Sequence, residues 1–353
     1  MSAPAKNGYN TSVPAADSLV RLHLSESPCG ASPAAVAAAT GELGRINRYP
    51  APEREGIVAA LARHWELPED RIAVANGSDE LVLATALTLG DPSLPGLVTG
   101  GTFPGYRAAL ERIGRGAVDV PLSGADVDVA AYAERLPECG IGYVCNPHNP
   151  CGTALSAPDL GTLVATARTG GTPLVFDEAY HEFGPPTQPQ ARQHLDDDVP
   201  VLALRTFSKA YGLAALRIGY ALGPADLIAE VRRTLTVLPF SVNRVAQAAA
   251  LAALADQAFL DDVRRAGEER RRWFCAELDR RGYRYLRSVT NFVAVRVPDS
   301  GAAQDVLARE HGILVRDTGM FGFPGHLRVS LGTVAELRQF LDALDRIIGG
   351  PQW

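Results

Sequence analysis

Lys209 lies in the run Thr206-Phe207-Ser208-Lys209-Ala210, between hydroxyl side chains, and Arg217 follows eight residues later. An amine so placed can condense with an aldehyde, while the hydroxyls and the guanidinium can hold an anion, so the layout suits a covalent aldehyde cofactor with a phosphate tail. Of the 34 basic residues in the chain only Lys6 and Lys209 are lysine. A guanidinium stays protonated and forms no Schiff base, which makes Lys209 the one candidate outside the polar N-terminal stretch. Arginine excess alone leaves the opposite reading open, that Lys209 is incidental.

Such groups need a frame. Short apolar runs recur at 72–75, 96–99, 117–121, 141–145, 174–176, 201–204 and 218–222, separated mostly by helical patterns. Strands without polar alternation that alternate with helices predict an α/β fold, a mainly parallel sheet covered on both faces, with ligands beyond the carboxyl ends of the strands. The polar motifs follow those runs: Asn76-Gly77-Ser78-Asp79-Glu80, Thr102-Phe103-Pro104-Gly105-Tyr106, Asn146 to Thr153, Asp177-Glu178-Ala179-Tyr180, and Ser208-Lys209. Beyond about residue 240 the pattern changes to an arginine-rich helix, strands near 283–297, 313–316 and 327–331, and a closing helix from Val334, which predicts a smaller α+β unit. The expected division is an N-terminal arm and small-domain segment over 1–45, a large cofactor-binding domain over 46–240, and a small domain over 241–353.

A pyridoxal cofactor asks for an amine, donors for its phosphate, an acid at its ring nitrogen and a partner for its phenolic oxygen. Gly77-Ser78-Asp79 opens a helix, whose first N–H groups and dipole suit a phosphate, although Ser78 also reads as a plain N-cap. Arg217 can supply the counter-charge or form an ordinary surface ion pair. Asp177 ends an apolar strand, where a pyridinium N–H would offset the cost of burying a carboxylate; an N-cap is the alternative. Asn149 and Tyr180 can reach a phenolic oxygen, and Asn149-Pro150 also reads as a turn.

Taken together, Asn146-Pro147-His148-Asn149-Pro150-Cys151-Gly152-Thr153, Asp177-Glu178-Ala179-Tyr180 and Ser208-Lys209 with Arg217 resemble the fold-type-I pyridoxal-phosphate aminotransferases. Ala75 to Glu80, Asn47-Arg48-Tyr49-Pro50, Leu314-Val315-Arg316-Asp317 and Leu327 to Thr333 are similar to the histidinol-phosphate aminotransferase branch, which includes related aromatic-amino-acid aminotransferases. The resemblance spans about residues 20–348. It implies pyridoxal 5'-phosphate held on Lys209, with Asp177 at the ring nitrogen, Asn149 and Tyr180 at the phenolic oxygen, and Phe103 stacked on the ring. It further implies that Gly77, Ser78, Asp79, Thr206, Ser208 and Arg217 bind the phosphate, and that Tyr49 reaches the phosphate of a second subunit in a homodimer. Arg328 corresponds to the arginine for a substrate carboxylate, Arg316 to one that helps hold a substrate phosphate, and Tyr9 to a substrate-contacting tyrosine; Arg316 paired with Asp317 remains the alternative. Ser25-Glu26-Ser27-Pro28-Cys29-Gly30 departs from the Asn-Glu-Asn-Pro-Tyr/Phe-Gly of that branch, and Cys151 stands where threonine is usual.

The activity implied is transfer of an amino group between glutamate, or another amino acid, and a histidinol-phosphate-like or aromatic keto substrate. A decarboxylase, lyase or oxidase on the same scaffold, and a non-catalytic cofactor-binding module, are the other readings. A net charge of −6 and an isoelectric point near 5.7 give no footprint for nucleic acid. Five cysteines without a C-x-x-C pair support neither a metal site nor a disulfide framework. No apolar run is long enough to cross a bilayer and the first residues lack a secretion signal, so the expectation is a cytoplasmic protein without membrane contact.

Overall fold

A computed structural model of the chain describes residues 19–349. In chain order its strands and helices are β1 (Val20–Arg21), α1 (Pro33–Glu42), α2 (Glu55–Trp65), β2 (Ile72–Ala75), α3 (Ser78–Thr88), β3 (Gly96–Thr99), α4 (Gly105–Arg112), β4 (Ala117–Val120), α5 (Val129–Arg135), β5 (Ile141–Cys145), α6 (Ala157–Gly170) and β6 (Leu174–Asp177). There follow β7 (Val201–Thr206), β8 (Gly219–Leu222), α7 (Ala225–Leu235), α8 (Arg244–Ala255), α9 (Gln257–Arg280), β9 (Phe292–Arg296), α10 (Ser300–His311), β10 (Ile313–Leu314), β11 (Arg316–Asp317), β12 (His326–Ser330) and α11 (Val334–Ile348).

Seven strands form one sheet in the order β2-β8-β7-β6-β5-β3-β4. All ladders are parallel except the two made by β8, which runs against both β2 and β7. In β6, Leu174 and Phe176 join one apolar cluster and Val175 joins another. Since successive strand residues point to opposite faces, a strand buried on both must be apolar at every position, which is why these runs lack alternation. The strands break where Asp177 and Thr206 bring polar groups to their carboxyl ends.

The C-terminal part builds a three-stranded sheet, β11-β12-β9, over a third apolar cluster that includes Phe274, Val293, Val329, Phe340 and Leu22. The expected strand at 313–316 divides at Val315: Ile313–Leu314 pairs in parallel with β1, whereas Arg316–Asp317 pairs with β12. One residue is too few for a turn, so the chain simply changes neighbour. Of the two strands expected in 283–297 only β9 forms; Tyr285 makes a single bridge to Val295. Ser288 and Thr290 instead bond to each other and to the local backbone, a competition with the ladder that short hydroxyl side chains favour.

Candidate active site

Lys209 follows the carboxyl end of β7, and its Nζ donates to the Leu24 carbonyl at 2.8 Å. The amine lies 5.6 Å from the Tyr180 ring centre. Burial brings its pKa down to about 8, with Arg328 pushing the same way and Glu26 and Asp79 opposing. A lysine so placed is easily deprotonated, as a nucleophile must be.

Asp177 ends β6 in line with Cys145 of β5. Tyr106 Oη donates to its Oδ2 at 2.7 Å and the Ala179 N–H to its Oδ1 at 3.1 Å. Burial raises the carboxyl, while those two donors hold it back. Tyr106 stands one residue into α4, stacks on Tyr143 at 5.3 Å and meets Phe103 edge to face at 5.3 Å. Sequence reading quoted the motif that contains Tyr106 but gave it no role.

Gly77 is the N-cap of α3, so Ser78 is the first helical residue and does not cap. No side chain satisfies the first N–H groups of that helix through a cap, which leaves them suited to an anion. Gly77 has φ +81°, and a Cβ there would stand 2.6 Å from Nη2 of Arg217. Arg217 itself is left-handed, and donates to Ser208 Oγ at 3.3 Å and to Asp79 Oδ2 at 2.9 Å. The Asp79 carboxylate is thus committed to Arg217, and what Asp79 offers an anion is its backbone N–H. Thr206 Oγ1 accepts from the Ser208 N–H at 3.1 Å and fixes the turn that carries Lys209.

Arg316 and Arg328 are buried neighbours across the β11–β12 ladder. Arg328 donates to Asn149 Oδ1 at 2.5 Å and to the His23 carbonyl at 2.6 Å, and lies over the rings of Phe292 and Phe321. Arg316 Nη1 contacts Met320 Sδ at 3.6 Å. Asp317 directs its carboxylate to the Gly319 N–H at 2.8 Å, away from the role of ion-pair partner to Arg316 considered from sequence. Burial and then Arg316 push His23 down to about 4, so its imidazole adds no further charge. Tyr180 is raised to about 12, chiefly by burial, and packs edge-on against Phe292.

One cleft is lined by Ser78, Asp79, Phe103, Asn149, Asp177, Tyr180, Thr206, Ser208, Lys209, Arg217, Arg316 and Arg328. Gly77 stands behind Arg217. Tyr49 is outside this cleft: it is 77% exposed and stacks on Phe240 at 4.4 Å. Tyr9 lies outside the described residues. Leu24, Cys145 and Phe321 also line the cleft and were not anticipated, Leu24 because a backbone carbonyl leaves no mark in residue type.

The residues present fit a pyridoxal phosphate: an enclosed amine, a buried acid, an uncapped helix start and a glycine whose side chain would strike the adjacent guanidinium. Comparison with known proteins agrees. The family profile described as "Aminotransferase class I and II" matches residues 19–344. A histidinol-phosphate aminotransferase of Symbiobacterium thermophilum is 37% identical over 336 residues, covering 94% of this chain and 91% of that protein. The histidinol-phosphate aminotransferase 1 of Psychrobacter arcticus is 34% identical, over 94% of this chain and 88% of its own. Among solved structures, histidinol-phosphate aminotransferase from Sinorhizobium meliloti in complex with pyridoxal-5'-phosphate superposes with a TM-score of 0.83 at 31% identity, over 94% and 91% of the two chains. The chain therefore belongs to the class I and II aminotransferases, in their histidinol-phosphate aminotransferase branch.

Proposed function

We propose that the protein is a pyridoxal-phosphate-dependent aminotransferase moving an amino group between glutamate, or another amino acid, and a histidinol-phosphate-like or aromatic keto substrate. The observation that carries this reading is the enclosed amine of Lys209 set between a buried acid, Asp177, and an anion cradle built on Arg217. Bound pyridoxal phosphate supplies an aldehyde that takes up amino groups and a ring that accepts the electrons of a substrate Cα–H bond.

The chain's own groups do the rest. Lys209 Nζ would hold the aldehyde and, when free, would carry the proton to and from the substrate carbon. Asp177, steadied by Tyr106 and the Ala179 N–H, keeps a proton on the ring nitrogen. Arg217, Ser208, Thr206 and the backbone of Gly77, Ser78 and Asp79 hold the phosphate, Asn149 and Tyr180 the phenolic oxygen, and Phe103 covers the ring. Arg328 takes a substrate carboxylate, and Arg316 helps hold the phosphate of a phosphorylated substrate.

The protein acts as a cytoplasmic homodimer with shared active sites. Supporting this, Ile46, Tyr49, Val237, Leu238 and Phe240 are exposed although large and apolar, and Tyr49, outside its own cleft, is available to a second subunit. The five cysteines are free, and among the described residues no helix is long and apolar enough to cross a membrane. The division into a segment over 1–45, a large domain over 46–240 and a small domain over 241–353 belongs to the same reading. Half-reactions decide it: the cofactor-loaded protein mixed with glutamate, histidinol phosphate or phenylalanine should stop at the amino form of the cofactor with release of one keto product. Release of carbon dioxide, or no spectral change with any donor, would contradict transamination.

A further inference from the structure

Residues Leu22 to Ser25 carry four consecutive carbonyls, and each has a defined donor. Leu22 accepts from the Ser330 N–H at 2.9 Å, His23 from Arg328 at 2.6 Å, Leu24 from Lys209 at 2.8 Å, and Ser25 from Asn291 Nδ2 at 2.9 Å. Two of the four donors are cations of the site, although the segment lies more than 180 residues from one and 300 from the other. An extended strand would turn alternate carbonyls to opposite sides; the chain departs from that course at Ser25, which has φ +53° and is wholly buried. Its N–H is clamped by Ser330 Oγ at 2.8 Å, so the left-handed turn is held from β12.

We propose that residues 22–25 are a backbone template for the reactive amine, and that Ser25, held left-handed, is the positioning residue that aims the Leu24 carbonyl at Lys209. The catalytic meaning rests on the pyridoxal reading above. A free, neutral amine that donates one N–H to Leu24 has its orientation fixed, and its lone pair is left for the proton that departs from the substrate carbon. That C–H bond breaks, an N–H bond forms, and the electron pair stays behind with the substrate and ring. The resulting ammonium keeps its bond to Leu24 until the proton is returned. One segment thereby sets the spacing between the base, Lys209, and the carboxylate anchor, Arg328, because adjacent carbonyls hold both.

The chain's lysine content makes the test direct. Enzyme loaded with pyridoxamine phosphate, which leaves the Lys209 amine free, is trace-labelled with acetic anhydride across a pH series and read peptide by peptide, with Lys6 as internal reference. A β-branched residue resists the left-handed conformation and glycine adopts it readily. Ser25→Val should therefore lower the Lys209 midpoint by about one pH unit or more, the scale of a lost hydrogen bond to a charged group. Lys6 should not move, and Ser25→Gly should keep the wild-type midpoint. An unchanged midpoint in folded Ser25→Val, or an equal shift in Ser25→Gly, overturns the proposal. If Ser25→Val does not fold, Ser330→Ala, which withdraws the acceptor of the Ser25 N–H, is read the same way: a downward shift supports the template and an unmoved midpoint overturns it. Should wild type fail to retain pyridoxamine phosphate, the cofactor reading fails, and the same labelling series on the chain alone still decides whether Leu24 holds Lys209.

Discussion

Arg316 and Arg328 sit directly opposite each other on adjacent antiparallel strands, two buried guanidiniums in register. Both line the cleft, where two cationic side chains suit an anionic substrate. Removing one charge should therefore act on substrate more than on fold. Arg316→Gln is expected to reduce kcat/KM for a phosphorylated substrate by on the order of 10²-fold, the scale of about 2–3 kcal/mol for a charged hydrogen-bonded contact, and to affect glutamate much less. Steady-state kinetics with both substrates checks this, and equal losses would remove Arg316 from the phosphate role.

Lys209→Arg should leave the fold intact and abolish covalent capture of the cofactor, because a guanidinium forms no Schiff base. Borohydride reduction of wild-type protein followed by peptide mapping should place the label on Lys209; a label confined to Lys6 would contradict the assignment.

The Lys209 amine also affects stability. Its pKa falls from an ordinary 10.5 to about 8 on burial. Between those values the unfolded chain binds a proton that the folded chain does not, so stability rises with pH across that window, and below it the cost of the buried charge is fully present. Lys209→Met of the cofactor-free protein should accordingly be more stable than wild type at about pH 7, with an advantage that shrinks as pH climbs from about 8 to above 10. Urea midpoints at three pH values measure this, and an advantage that does not vary with pH would disprove the link.

Gly77→Ala should weaken cofactor binding. The new methyl would meet the Arg217 guanidinium at 2.6 Å in a left-handed backbone, so either the helix start or the guanidinium must move. Strain of about 1–3 kcal/mol converts to a loss of roughly 5- to 150-fold in affinity, readable by fluorescence titration with pyridoxal phosphate.

Ile46→Glu together with Phe240→Glu puts charges into the exposed apolar surface around Tyr49. In the proposed dimer Tyr49 serves the second subunit, so sedimentation should show wild type as a dimer and the double variant as a monomer, with activity falling alongside. An active, dimeric double variant would place the subunit contact elsewhere.

The strands of the large sheet were legible because two-sided burial writes an uninterrupted apolar run into the sequence, and β3, β5 and β2 match their expected ends. Lys209 and Asp177 stood out as candidates because each follows such a run, and Arg217 because it comes just before the next one, places where a charged side chain has few structural uses. The C-terminal strands were less so. Whether Val315 continues a strand or marks a change of partner depends on β1 and β12, which no local pattern encodes. Ser78 was ambiguous because a serine before a helix caps it as readily as it begins it, and only the left-handed Gly77 decides. Tyr106 and Leu24 escaped because their parts depend on where α4 and the segment after β1 come to rest against Asp177 and Lys209.

The pairing of Val20 with Ile313, which anchors the segment holding Lys209, has a consequence for the order of events during synthesis. The large sheet is complete once β8 has emerged from the ribosome, yet Leu24 has no fixed place until β10 and β12 arrive. Non-local contacts of this span form late. A nascent chain thus passes through a stage with a finished sheet and an unguided amine, and the guide is complete only once β12 has been made.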